Sequence, residues 1–144
     1  MTDSTPFVYE RRVAFSDTDM AGIAHFTAFM RYAEEAEHAF LRSLDMGIME
    51  KRGEEKLSWP RVNIHCDFHR PIHFDDVVQI EVAVKELKEK AVTYCFKVKL
   101  KGKLMASATS TAVYCKVTQG KLASVPIPPE FVERLRSALL IEDK

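Results

Sequence analysis

The spacing of apolar and polar positions changes along the chain, and each change predicts an element. Between Phe7 and Phe15 the two alternate in part and stop at Ser16-Asp17-Thr18-Asp19. That pattern predicts a strand followed by a loop. From about Gly22 to Leu44 the period lengthens. Phe26, Phe29, Met30, Ala33, Phe40, Leu41 and Leu44 recur at spacings of three, four and seven, and Arg31, Glu35, His38 and Arg42 fall opposite them. This predicts a helix of about six turns with one packed and one solvated face. Gly47 is placed to end it. Met49 to Lys56 is polar, contains Gly53 and reads as a loop.

From Arg61 the period shortens to two. Val62, Ile64, Cys66 and Phe68 alternate with Asn63, His65, Asp67 and His69 until Pro71. Val77 to Leu87, Val92 to Leu100 and Leu104 to Val117 read as further strands, divided by Lys88-Glu89-Lys90 and Lys101-Gly102-Lys103 and closed by Gln119-Gly120. Pro126, Pro128 and Pro129 lead into a short amphipathic tail helix with Phe131, Leu135, Leu139 and Leu140. A strand, a long helix and a run of about four strands joined by tight turns predict an antiparallel sheet in an α+β domain.

Composition narrows the class. The 144 residues carry 21 Lys+Arg and 21 Asp+Glu, a formal net charge of zero. That length predicts one domain over residues 1–144, large enough for a real core. A hydrophobic share of 47% and a charged share of 29% exclude wholesale disorder. The neutral balance argues against a nucleic-acid partner. Cys66, Cys95 and Cys115 are widely spaced with no CxxC, so neither a zinc ribbon nor a disulfide framework is indicated. They read as small buried hydrophobes in a reducing compartment. The first residues lack a basic stretch followed by an apolar run, and no apolar segment approaches the roughly 20 residues that span a bilayer. The expectation is a soluble cytoplasmic protein with no membrane partner.

The loop Ser16-Asp17-Thr18-Asp19-Met20-Ala21-Gly22 sits between a strand and a helix start. Unpaired N–H groups and a partial positive charge at a helix N-terminus can hold a developing oxyanion, and a carboxylate beside them can act as nucleophile or base. The competing reading is that Asp17 and Asp19 only cap the helix or build Asx-turns. His65, Asp67 and His69 suggest metal ligands, but alternate strand residues stand roughly 6.6 Å apart. Three such residues do not converge on one ion with bonds of about 2 Å. Glu37 falls within the apolar helix face, where a carboxylate must be paired, hydrogen-bonded or protonated. It reads as a catalytic group, as half of an ion pair at a subunit or sheet contact, or as a sign that the helix rotates outward at this point. Lys85, Lys88 and Lys90 mix with Glu86 and Glu89 as a solvated turn and remain possible contacts for a ligand phosphate. GxSxG, P-loop and GxGxxG motifs do not occur.

The run from Phe15 through Ser-Asp-Thr-Asp-Met-Ala-Gly-Ile-Ala-His to Phe26, then Tyr32-Ala-Glu-Glu-Ala and Leu41-Arg-Ser-Leu, resembles the 4-hydroxybenzoyl-CoA thioesterase branch of the hotdog-fold superfamily. The likeness continues through Arg70-Pro71, Asp75-Asp76 and Pro126-Ile-Pro-Pro-Glu. It implies a long helix wrapped by an antiparallel sheet of about five strands, working as a homodimer or homotetramer with sites between subunits. It implies an acyl-CoA thioesterase that releases a carboxylic acid and CoA without metal or organic cofactor. Asp19 matches the family's catalytic carboxylate, and Phe26 matches the backbone N–H that polarises the thioester carbonyl. Gly22 matches the glycine that lets backbone and substrate approach. Phe26, Phe29 and Met30 are candidates for an acyl pocket as well as for core packing. His25 stands in the slot of the family's tyrosine or tryptophan, among the substrate-binding candidates, and the family histidine's role does not carry over to it. Glu34 keeps the family glutamate, whereas Glu35 and Glu37 replace two arginines. A non-catalytic acyl-CoA-binding hotdog protein, or another hotdog enzyme such as a dehydratase, is the alternative.

Overall fold

A computed structural model describes residues 5–140. The leader reading concerns residues that lie partly outside that range. β1 (Phe7–Arg12) leads through a 3-10 turn (Phe15–Asp17) and an open loop to α1 (Phe26–Ser43). β2 (Met49–Arg52), β3 (Glu55–Ser58), β4 (Arg61–Phe68), β5 (Val77–Leu87), β6 (Ala91–Leu100), β7 (Lys103–Val113), β8 (Cys115–Thr118) and β9 (Lys121–Ser124) follow, then α2 (Pro129–Arg136). Five strands form one antiparallel sheet in the order β1-β5-β6-β7-β4, with α1 packed on its inner face. This is the hotdog arrangement. β4 does not join its sequence neighbour β5; it pairs with β7 at the far edge.

The core follows the two periods. Alternate residues Val78, Ile80, Val82 and Val84 of β5 and Val92, Tyr94, Phe96 and Val98 of β6 are buried. They meet Phe29, Tyr32, Ala33, Ala36, Phe40 and Leu41 on α1. The ring edges of Phe40 and Tyr94 meet at 6.0 Å between centroids. Burial of aromatic groups of this size is worth roughly 1.5–3 kcal/mol each.

Several expectations are corrected. α1 starts at Phe26, not Gly22, because the preceding residues are committed to the loop. It ends at Ser43 with Leu44 as its cap, and the left-handed stop is Asp45, not Gly47. Asp45 takes the left-handed φ of 59°. Its N–H bonds the Arg42 carbonyl while the Met46 N–H bonds the Leu41 carbonyl, the pairing of a Schellman stop. The expected loop Met49 to Lys56 is the β2–β3 hairpin, turned at Gly53 with φ 65°. The expected strand Leu104 to Val117 is two strands. It breaks at buried Tyr114, where the chain passes into a second sheet of order β2-β3-β8-β9. Cys115 is buried as expected, but Cys66 and Cys95 are only half-buried. Val62 and Phe68 are exposed, because β4 is an edge and its register shifts between Arg61 and Asn63.

Glu35 and Glu37 also find partners across the fold. Glu37 is buried and accepts a 2.7 Å bond from Arg61 of β4, so it is half of an ion pair. Glu35, placed on the solvated face by periodicity, is half-buried against β1 and accepts from the Tyr9 hydroxyl (3.0 Å) and Arg11 Nε (2.8 Å).

Candidate active site

The loop from Asp17 to His25 is closed by backbone bonds. The His25 N–H donates to the Asp17 carbonyl (2.8 Å), the Asp19 N–H to the Ile23 carbonyl (2.9 Å) and the Gly22 N–H to the Asp19 carbonyl (3.0 Å). Gly22 has φ 83°, a conformation that costs an L side chain free energy and glycine little. A Cβ there would meet no protein atom within 4 Å, so what demands glycine in the folded chain is the backbone angle, not crowding. The Ala24 N–H bonds the Ile72 carbonyl at 2.8 Å, tying the loop to the segment after β4.

Asp17 and Asp19 separate sharply. Asp17 is buried, and its carboxylate accepts from Ala14 N–H (2.9 Å), Tyr32 hydroxyl (2.8 Å), Arg11 Nη1 (3.1 Å) and Arg31 Nη1 (3.0 Å). Burial pushes its pKa up, but these bonds and the arginine charges outweigh that and hold it below the usual carboxylate value. The same burial and the bond to Asp17 push the Tyr32 pKa up. Asp19 is exposed, and one of its oxygens accepts from Ala21 N–H at 2.9 Å, an Asx-turn. Its other oxygen has no partner among the described residues.

Neither aspartate caps α1. His25 does, its Nδ1 accepting from Thr27 N–H at 3.2 Å. Phe26 is the first helical residue, and its N–H has no acceptor among the described residues. It points with the first-turn dipoles toward whatever lies beyond the helix end.

A cleft of about 430 Å³ joins these parts. Its walls include Asp19, Phe26 and Phe29 from the loop and α1, and Phe68, Arg70 and Pro71 from the end of β4 and the segment after it. The rings of Phe29 and Phe68 meet edge to face at 5.2 Å. Of the expected site residues, Asp19, Phe26 and Phe29 share this cleft. Gly22, His25 and Met30 are not among its walls; Gly22 shapes the loop and His25 the helix start. Sequence reading did not place Ile23, Ala24, Phe68, His69 or Pro71 at the site. Ile23-Ala24 and Arg70-Pro71 carried an advance signal, as parts of the family likeness. His65 pairs with Asp67 at 3.2 Å while His69 bonds the Ser107 hydroxyl at 3.2 Å, so the three do not converge. Among the described residues no helix is long and apolar enough to cross a membrane.

A five-stranded antiparallel sheet packed on one long helix, with Asp19 and Phe26 on one cleft, sets the fold and the candidate site. Residues 13–135 match the thioesterase-like superfamily, and the chain belongs to it. It is a thioester hydrolase in class. It is 31% identical over 117 residues to the 1,4-dihydroxy-2-naphthoyl-CoA hydrolase of Trichodesmium erythraeum, covering 80% of this chain and 85% of the relative. A hypothetical protein from Aquifex aeolicus of known crystal structure is 34% identical with TM-score 0.74, covering 90% of this chain and 99% of that one. The BH1999 gentisyl-coenzyme A thioesterase is 30% identical with TM-score 0.75, covering 87% and 98%.

Proposed function

We propose that this chain is an acyl-CoA thioesterase in which Asp19 is the catalytic carboxylate and the Phe26 N–H holds the carbonyl oxygen. Water and acyl-CoA give a carboxylic acid and CoA. The observation that carries the reading is one cleft bounded both by the exposed Asp19 and by Phe26 at the start of α1. With the thioester carbonyl against the Phe26 N–H, negative charge developing on its oxygen meets the positive end of the helix. The unpartnered Asp19 oxygen then attacks the carbonyl carbon or takes a proton from an attacking water. In either route CoA leaves as the thiolate and is protonated; in the covalent route water then cleaves the acyl–Asp19 anhydride, releasing the acid and restoring the carboxylate. No step calls for a metal or an organic cofactor.

The acyl group we assign is aromatic. Phe26, Phe29 and Phe68 supply three rings to a cleft whose other apolar walls are Ile23, Ala24 and Pro71, and aromatic pairs gain beyond simple burial. The naphthoyl-CoA and gentisyl-CoA specificities in the relatives' names support this choice. The test is a hydrolysis screen of aryl, short-chain and long-chain acyl-CoA esters. Aryl esters give the highest kcat/KM; a long-chain preference overturns the acyl assignment, and no hydrolysis of any ester overturns the function.

The working unit we assign is a homodimer or a homotetramer. β4 ends the main sheet with Val62 and Phe68 exposed, an edge that proteins usually cover. Sedimentation equilibrium at micromolar concentration is expected to show a dimer or larger; a pure monomer contradicts it.

A further inference from the structure

The Asp19 mechanism needs the loop tip and the helix start held in fixed relation, and one charge cluster around the buried Asp17 meets both. We infer that Asp17, clamped by Arg11 and Arg31, is the positioning residue of this site, and that Glu35 aligns Arg11 for that task. The inference rests on the Asp19 reading above.

Asp17 cannot itself do the chemistry. It is buried, and four donors fill its oxygens. Its backbone, however, grips the site at two points. It lies two residues before Asp19, and its carbonyl accepts the N–H of His25, the residue just before Phe26. A shift of Asp17 therefore moves base and oxyanion donor together or apart. The donors come from three places: Arg11 from β1, Ala14 from the turn, and Arg31 with Tyr32 from α1.

Glu35 completes the cluster. It takes Arg11 Nε at 2.8 Å and Nη2 at 3.4 Å, leaving Nη1 directed at Asp17. The Arg11 guanidinium also lies over the Tyr32 ring at 4.8 Å. Two arginines thus balance two carboxylates. Stability alone does not call for this, since a buried ion cluster is often no more stable than apolar side chains of the same volume. Geometry does, because a bidentate guanidinium fixes direction as well as distance. A displacement of about 1 Å at a reacting group can lower a rate about 10²-fold.

The test uses the full chain with Arg31→Gln, Arg31→Lys, Glu35→Gln and Asp17→Asn, read by steady-state hydrolysis and by amide hydrogen exchange. Arg31 is partly exposed, so its variants fold even where Asp17→Asn does not. Arg31→Gln is expected to lower kcat about 10-fold and Asp17→Asn about 10²-fold, with KM within about twofold. Arg31→Lys recovers most of kcat, and Glu35→Gln, which keeps an acceptor, loses less than Arg31→Gln. Exchange at the Asp19 and His25 amides speeds up while sheet amides stay unchanged. Unaltered kcat and loop exchange in Arg31→Gln overturns the inference, as does a uniform rise in exchange across the sheet. If the wild-type chain hydrolyses no thioester, the Asp19 reading falls, while the exchange measurements still decide whether the clamp fixes the loop.

Discussion

Asp17 and Asp19 lie two residues apart on one loop, carry the same side chain and live in opposite surroundings. Asp17 is buried beneath four donors from β1, the turn and α1; Asp19 stands in solvent at the mouth of a cleft with one oxygen in a turn and one unclaimed. A carboxylate whose oxygens are all committed can hold structure but has nothing left to offer a substrate. One that is half committed is oriented by its turn and still has an oxygen for chemistry. The contrast teaches that capacity for reaction, on this loop, is what the neighbours leave unsatisfied.

The largest effect that tests the contrast is expected from Asp19→Asn. It preserves size and the turn contact while removing the charge, and kcat should fall about 10²–10⁴-fold. Turnover near wild type in a folded Asp19→Asn protein would remove the mechanism.

The oxyanion donor can be removed as cleanly. Phe26 occupies the first helical position, where proline is tolerated because its missing N–H has no helical partner. His25 already has the extended backbone, φ −62° and ψ 147°, that a residue before proline prefers. Phe26→Pro should lower kcat about 10²–10³-fold. Phe26→Ala keeps the N–H, loses only the ring contact and should lower kcat less. Equal losses in the two variants would assign the effect to the ring.

A third carboxylate sharpens the comparison. Glu37 is buried like Asp17 and held by Arg61, which also donates to the Ser110 hydroxyl. Arg61→Ala strands a buried charge and should destabilise the fold by about 3 kcal/mol, read from urea unfolding at constant m. A loss within experimental error would mean that Glu37 is not maintained by this pair.

The smallest effect is in acid. The Asp17 pKa is depressed in the folded protein relative to its ordinary value. Its stabilisation is therefore fully present above the unfolded pKa of about 3.9 and is lost as pH falls through the lower folded value. The stability gap between wild type and Asp17→Asn should be constant near neutrality and narrow below about pH 4. A gap that widens on acidification would contradict the clamp.

Much of this was legible from one-dimensional pattern. A 3.6 period needs no partner to be visible, so α1 and its Phe29, Ala33, Phe40 and Leu41 face could be read directly; so could β5 and β6, whose buried residues alternate as far as Val84 and Val98. The Asp-Thr-Asp loop was legible as a site only through family likeness, because a capping aspartate and a catalytic one look the same in a string. The β2–β3 hairpin was missed because four-residue strands of charged residues carry no apolar period. The break at Tyr114 was missed because buried residues flank it on both sides.

What the chain alone determined is the order of the main elements, β1, α1, β4 to β7 and α2: period and turn chemistry are local, and each of these segments carries its own. Which strand pairs with which was settled only in three dimensions, where β4 crosses to β7 and brings Phe68, Arg70 and Pro71 opposite Asp19 and Phe26. The division of labour between Asp17 and Asp19 is also tertiary. It depends on Arg11 from one side and Arg31 and Tyr32 from the other reaching the first and not the second. The charge state and reach of a carboxylate are set by its neighbours in space, which the order of residues along the chain does not display.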